Sequence, residues 1–303
     1  MKRFSFAVCL LVTLLLPAIA RAATPWDKPE AALVVYATSY GLRSMWGDGS
    51  HDAPLTFPGT QADLMPAVSP NGHYVAFSST RPVDRFNIYL LDLKNGNLRR
   101  LTHALADWSP CWVGNGQLVY MSVTSPYIGA KLVKININQP KPTPERLTKS
   151  EDTIWESNPT SDGRVVYYER GVGLRPYSIW AINIANGSEW LVVEGTTVDV
   201  RDPVISPDGK VLAYIPYWDE DVNHPQIYTA RVDGSLPAIG EPIGIMPSYY
   251  PCWHPSGKGL FYTANLAGGV QIYYIPLPLD GTAPILLTYP FGYSWDASAT
   301  WNR

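Results

Sequence analysis

The chain has 303 residues, with 23 lysine and arginine residues against 26 aspartate and glutamate residues, so its formal net charge is −3. An acidic chain without a basic run argues against nucleic acid as the ligand and against electrostatic docking to anionic lipid. Charged residues make up 16% of the chain and aromatic residues 12%, which favours strands over helices.

The N-terminus has the layout of a secretory signal peptide. Lys2 and Arg3 form a short basic start, residues 4–19 are almost entirely apolar, and Ala20 and Ala22 place small residues two apart. We therefore predict a signal peptide over residues 1–22, cleavage near Ala22, and a periplasmic or secreted mature domain over residues 23–303. The alternative is an uncleaved N-terminal anchor, although the apolar run is short for a membrane span. No later segment of the sequence is long and apolar enough to cross a bilayer.

Three sequence markers then recur with a common period. A proline followed six residues later by a turn glycine occurs at Pro66/Gly72, Pro110/Gly116, Pro203/Gly209 and Pro251/Gly257, with a shortened copy at Pro159/Gly163. Asn-Gly or Asp-Gly pairs, which suit two-residue hairpins, occur at Asp48-Gly49, Asn95-Gly96, Asn186-Gly187, Asp233-Gly234 and Asp280-Gly281. Leu-Thr pairs follow the same spacing. The markers indicate one repeated structural unit.

Each period contains four short apolar stretches that read as strands. Four antiparallel strands cannot bury both faces alone, but radial stacking of such sheets does so. The chain starts with the second to fourth strands of a unit, and residues 296–301 match the first-strand pattern of residues 107–112. We therefore predict an all-β, six-bladed β-propeller of four-stranded antiparallel blades, closed by the C-terminal strand completing the N-terminal blade. The alternatives are an open array of five repeats and a seven-bladed ring.

The segments at residues 66–72, 203–209 and 251–257 read PAVSPNG, PVISPDG and PCWHPSG, and each is followed by an apolar strand and then an Ile-Tyr strand. This pattern resembles the TolB-type propeller repeat over nearly all of residues 30–303. The resemblance implies an exported propeller that binds a protein or peptide partner at its funnel, with a TolB-like role in the cell envelope. TolB itself has an α/β domain ahead of its propeller, and we expect that domain to be absent here because the first strand follows soon after the predicted cleavage site.

One position on the face that carries the variable loops is rich in acidic residues. Three residues before the repeat proline, or its counterpart Ala299, lie Asp63, Asp107, Glu156, Val200, Ser248 and Asp296. Asp199 and Asp202 flank the Val200 position. Equivalent positions converge in a closed ring, so we predict an acidic collar at the channel mouth that holds a basic peptide segment or a cation. The alternative is that these carboxylates accept hydrogen bonds from backbone N–H groups where the strands begin.

Aromatic residues frame the same mouth, at Trp108, Trp155, Tyr249, Tyr250, Tyr293 and Trp295. Such rings stack on a peptide or a sugar, or they pack between blades. The predicted binding residues are Asp63, Asp107, Trp108, Glu156, Asp199, Arg201, Asp202, Tyr249, Trp295 and Asp296.

The sequence contains no recognisable catalytic motif. No G-x-S-x-G nucleophile elbow occurs, and the five histidines have none of the spacings of a zinc site. We therefore expect a monomeric binding protein without a cofactor. The alternative is a calcium-dependent hydrolase, lactonase or lyase that uses the collar carboxylates. Cys111 and Cys252 occupy the same repeat position three blades apart, so we predict two free, buried thiols.

Overall fold

The computed structural model describes residues 32–301 apart from positions 58, 60, 82–84, 124–128, 140, 151, 172–175, 218–224, 234–241, 245–246, 267–268, 280–282 and 289–293. The predicted signal peptide lies outside the described residues, as do the tips of several variable loops. Within this part of the chain, no helix is long and apolar enough to span a membrane.

The described residues form six antiparallel sheets, one for each predicted blade. Blades one to three contain β1 (Ala32–Thr38), β2 (Gly41–Trp46), β3 (Ala53–Pro54), β4 (Asp63–Val68), β5 (Tyr74–Ser79), β6 (Asn87–Asp92), β7 (Leu98–Arg100), β8 (Ala106–Trp112), β9 (Gln117–Val123), β10 (Lys131–Asn136) and β11 (Glu145–Arg146). Blades four to six contain β12 (Thr153–Pro159), β13 (Val165–Gly171), β14 (Tyr177–Asn183), β15 (Glu189–Val193), β16 (Asp199–Ile205), β17 (Val211–Tyr217), β18 (Tyr228–Arg231), β19 (Ser248–Trp253), β20 (Gly259–Leu266), β21 (Gly269–Pro276) and β22 (Ile285–Leu286). The last strand, β23 (Ser294–Trp301), joins the first blade.

Five blades have four strands, and the fifth blade has three among the described residues. In that blade an isolated antiparallel bridge joins Ile227, which directly precedes β18, to Ile243. The predicted six-bladed all-β propeller is therefore confirmed.

The ring closes as the sequence predicts. The C-terminal strand β23 runs antiparallel to β1, with Ala32 opposite Trp301 and Val34 opposite Ala299. The hydroxyl of Ser298 accepts a hydrogen bond from the backbone N–H of Val68 in blade two at 3.1 Å. The last strand thus completes blade one and also contacts its neighbour, so the inner edge of the first sheet is covered.

The core lies between neighbouring blades. The second strand of every blade buries a large aromatic side chain at the same position, at Tyr36, Phe77, Tyr120, Tyr168, Tyr214 and Tyr262. One cluster joins Ala76 and Leu90 of blade two to Trp112 and Tyr120 of blade three. Each large apolar side chain buried in this way contributes about 1.5–3 kcal/mol, and this burial holds the sheets in radial order.

Candidate binding channel

A cavity of about 570 Å³ is lined by the first strands of all six blades. These strands are β4, β8, β12, β16, β19 and β23, so the cavity is the central channel of the ring. The lining extends to the tight turns at Pro70, Pro207 and Pro255.

Every first strand contains a register shift, where one extra residue enters its pairing with the second strand. At this bulge, Met65, Ser109, Asp202 and Tyr250 have positive φ values of 53, 51, 52 and 50°. An added residue interrupts the alternation of side chains across a strand, so a bulge re-aims the side chains beside it. Five channel-lining residues lie seven positions before a turn glycine, and we name them the bulge ring. They are Met65, Ser109, Glu156, Asp202 and Tyr250.

The bulge ring contains two carboxylates, Glu156 and Asp202, and a third carboxylate, Glu169 of β13, lies next to Asp202. The Ser109 hydroxyl donates a hydrogen bond to the Glu156 carboxylate. The backbone N–H of Asp202 donates to Oε1 of Glu169 at 2.7 Å, and Glu169 is only 1% exposed. The Tyr217 hydroxyl donates to Oδ2 of Asp202 at 3.4 Å. We name Glu156, Glu169 and Asp202 the channel acids.

Burial makes the channel acids difficult to ionise. It raises the pKa of Glu156, although the hydrogen bond from Ser109 acts in the opposite direction. Burial and then the charge of Asp202 raise the pKa of Glu169 well above its usual value. Burial and then the charge of Glu156 raise the pKa of Asp202 to about 7. A positive group that enters the channel would stabilise the ionised carboxylates, so this region favours a cation.

A second ring consists of the residues that directly precede the bulge ring in each first strand, and most of them are aromatic. This rim ring consists of Leu64, Trp108, Trp155, Arg201, Tyr249 and, by backbone register, Trp295. The rings of Trp108 and Trp155 are 5.9 Å apart, and the Trp155 indole N–H donates to the Tyr177 hydroxyl at 3.0 Å. The Arg201 guanidinium lies 4.5 Å from the centre of the Tyr177 ring and donates to Asp199 at 2.9 Å.

The remaining predicted acids lie in the channel wall and not at the cavity. Asp63 accepts a hydrogen bond from the Ser79 hydroxyl at 2.7 Å, and Asp107 accepts one from the Ser122 hydroxyl at 2.6 Å. Asp199 accepts the backbone N–H at the start of β14, in the preceding blade, at 2.9 Å. All three carboxylates are almost fully buried. We name them the wall acids, and their contacts fix the first strands to the adjacent strands.

The predicted positions therefore separate into three groups. Glu156 and Asp202 are channel acids, Trp108, Arg201 and Tyr249 are in the rim ring, and Asp63, Asp107 and Asp199 are wall acids. The backbone pairing of β23 places Asp296 in the bulge ring, whereas the side chains of Trp295 and Asp296 and all of Tyr293 lie outside the described part. Sequence reasoning missed Glu169, and its only local signal was an acidic residue within an otherwise apolar and aromatic strand.

The assumed repeat register was wrong in two blades. Ser157 and Ala297 occupy the position of the repeat proline, which the sequence prediction assigned to Pro159 and Ala299. The physical reason is that the bulge and the turn glycine set the register, and proline is not required there. Glu156 consequently faces the channel, whereas Asp63 and Asp107 face the wall.

The cysteines are free, as predicted, and both line the channel from blades three and six. Cys111 is buried, as predicted, whereas Cys252 is partly exposed, so the prediction of burial was wrong for that thiol. Burial raises the pKa of both thiols to about 12, so they stay protonated at neutral pH and are poor nucleophiles.

Across residues 32–301, outside the gaps given above, no three carboxylate, imidazole or thiol groups are arranged to hold a metal ion.

Replacing Asp107 by alanine should destabilise the fold by about 2 kcal/mol, because buried donors that now bond a carboxylate would be left without an acceptor. Asp107 accepts hydrogen bonds from Ser122 and from Asn87. Urea denaturation measures the change, with exposed Glu194→Ala as the control. An unchanged stability would mean that Asp107 does not have this structural role.

No protein-family model matches the chain, and no curated protein matches it. By fold and channel, the protein is a six-bladed β-propeller. TolB from Acinetobacter baumannii has this fold with a TM-score of 0.75 and 17% identity, over 90% of this chain and 67% of that chain. A putative TolB from Agrobacterium tumefaciens gives a TM-score of 0.63 and 16% identity, over 89% and 98%. An oligogalacturonate lyase in complex with manganese gives 0.53 and 15%, over 84% and 72%. The propeller is thus of the TolB type in its fold.

Proposed function

We propose that this protein is an exported, periplasmic scaffold that captures a basic segment of a protein or peptide partner in its central channel. The observation that carries the proposal is the pair of carboxylates, Glu156 and Asp202, in the channel lining, with the buried carboxylate of Glu169 hydrogen-bonded to the backbone N–H of Asp202 behind them. The formal net charge of the whole chain is −3, which favours a basic ligand. The signal-peptide layout of residues 1–22 supports export.

A lysine or arginine side chain fits this channel chemically. Its charge would offset the repulsion among the channel acids and favour their ionised forms. Trp155 is 40% exposed and Tyr250 is 43% exposed, so both offer accessible ring surface near the acids. Aromatic faces attract a cation through their quadrupole. The cavity of about 570 Å³ lies within the usual range of ligand pockets, about 300–1,000 Å³.

Binding is favoured over catalysis. The lyase shares the fold at low identity, and such a likeness does not transfer its chemistry. The channel acids are held by hydrogen bonds to Ser109, a backbone N–H and Tyr217, an arrangement that supports electrostatic recognition.

A tetralysine peptide, acetylated and amidated at its ends, provides a probe. The Glu156→Gln/Asp202→Asn double variant should bind it about ten-fold more weakly than the wild type, equivalent to about 1.4 kcal/mol. Its affinity should also depend less on salt, because two charges are removed. Calorimetry at low and physiological ionic strength measures both effects.

The matched control is Glu145→Gln, an exposed acidic residue on the outer strand β11 of blade three. This variant should bind tetralysine as the wild type does. Equal affinity of the wild type and the double variant would contradict the proposal.

A further inference from the structure

The outer edge of blade four differs from the other outer edges. Its strand β15 has five residues, whereas β3, β7, β11 and β22 have two or three. Three of those shorter strands carry proline or charged residues, at Pro54, Arg99, Arg100, Glu145 and Arg146. Such residues protect sheet edges from pairing with other chains. The β15 sequence has only Glu189 as a charged residue, followed by Trp190, Leu191 and two valines.

The side chains of this edge strand are exposed and apolar. Trp190 and Leu191 are each 41% exposed, and Val192 is half-buried. The fourth blade has the order β12-β13-β14-β15, so within the described part of the chain β15 has a neighbouring strand on one side only.

The backbone of β15 also has groups available for pairing. The N–H of Asn183 donates to the carbonyl of Ser188 at 2.9 Å where the hairpin closes. Hydrogen-bonded and non-hydrogen-bonded pairs alternate in an antiparallel ladder. This alternation directs the N–H and C=O groups of Glu189 and Leu191 away from β14.

Acidic residues lie at both ends of the strand. Glu189 pairs with Arg170 at 3.2 Å, and Arg170 also pairs with Asp152 at 2.6 Å. Exposed Glu194 follows the strand directly. Two acids thus pair with Arg170 at one end of the strand, and the exposed Glu194 lies at the other end. The acids outnumber the arginine, so the edge complements a segment that carries a positive charge.

We propose that β15 is a docking edge for an extended segment of another protein, which adds to blade four as a fifth strand. The segment would have alternating apolar side chains that pack on Trp190 and Leu191, and a lysine or arginine beside Glu194. A second copy of this chain fits less well, because antiparallel pairing would bring Glu194 of one copy towards Glu189 of the other. This site is independent of the channel.

The probe is the synthetic peptide Ac-KVTVTVK-NH₂, together with a version that is N-methylated at alternate residues on its pairing edge. We expect saturable binding of the unmethylated peptide and slower amide hydrogen exchange at Glu189 and Leu191. N-methylation should abolish binding because it removes the backbone donors. Leu191→Lys should weaken binding at least ten-fold, and Glu194→Gln should weaken it less.

The matched control is Leu286→Lys on β22, another exposed outer-strand leucine, which should leave the affinity unchanged. The Glu156→Gln/Asp202→Asn variant should also bind this peptide normally, so failure of the channel proposal and failure of this one are distinguishable. No saturable binding, or equal binding of the N-methylated peptide, would overturn the proposal. Sedimentation that shows a dimer abolished by Leu191→Lys would overturn it in favour of self-pairing.

Discussion

Deletion of residues 294–303 should abolish cooperative folding. The deletion removes β23, which pairs with β1 and is also hydrogen-bonded to Val68 of blade two. Ala297 and Ala299 pack against Val34, Tyr36 and residues of blade six, so three blades lose contacts together. This loss should exceed the net stability of a domain, which is about 5–15 kcal/mol. Circular dichroism during thermal unfolding should show no sharp transition.

The control is removal of residues 302–303 alone, which leaves all of β23 in place and should preserve the transition. A peptide of residues 294–303 added to the shortened protein should restore it in part. A sharp transition of the shortened protein at the wild-type midpoint would contradict the closure described here.

The free energy of unfolding should fall by about 3 kcal/mol between pH 5 and pH 8 because of the channel acids. Burial raises the pKa of Glu156, Glu169 and Asp202 in the folded state. A carboxyl group in the unfolded chain has a pKa of about 4. Between about pH 4 and the pKa of the same group in the folded state, the folded protein therefore binds more protons than the unfolded chain. The stabilisation is complete below that range and is lost as the pH rises through about 7, the pKa of Asp202.

Glu169→Gln should flatten this pH dependence and raise stability at pH 8. The glutamine carbonyl can still accept the N–H of Asp202, so the variant removes the charge while keeping the contact. Glu194→Gln, at an exposed site, should keep the wild-type slope. Asp162 and Asp208 have lowered pKa values through hydrogen bonds from Thr160 and Ser206, so they affect stability only at lower pH. Urea unfolding at four pH values tests the prediction, and identical slopes in wild type and Glu169→Gln would refute it.

The architecture was predictable because its determinants are local and repeated. The turn glycines that the spacing identified, such as Gly72 and Gly209, have positive φ values of 69 and 72°. The likeness of residues 296–301 to residues 107–112 was enough to predict that the last strand pairs with the first, although the predicted register is displaced by two residues. Both signals recur along the chain, so an error in one copy does not change the fold.

The site was predictable only in part, because side-chain direction depends on the bulge. Strict alternation fails where Ser109 and Asp202 take positive φ, and neither residue type marks such a conformation reliably. Asp107 and Glu156 were therefore placed in one collar although one faces the wall and the other the channel. Glu169 comes from the second strand, so its approach to Asp202 depends on contact between two blades.

Proton release on ligand capture tests the central claim most directly. Tetralysine is titrated calorimetrically into the protein at pH 7, in two buffers that differ in ionisation enthalpy. We expect binding to release protons from the channel acids, since the incoming charge favours their ionised forms. Binding without proton release, or release that persists in the Glu156→Gln/Asp202→Asn variant, would show that the peptide does not bind at these carboxylates.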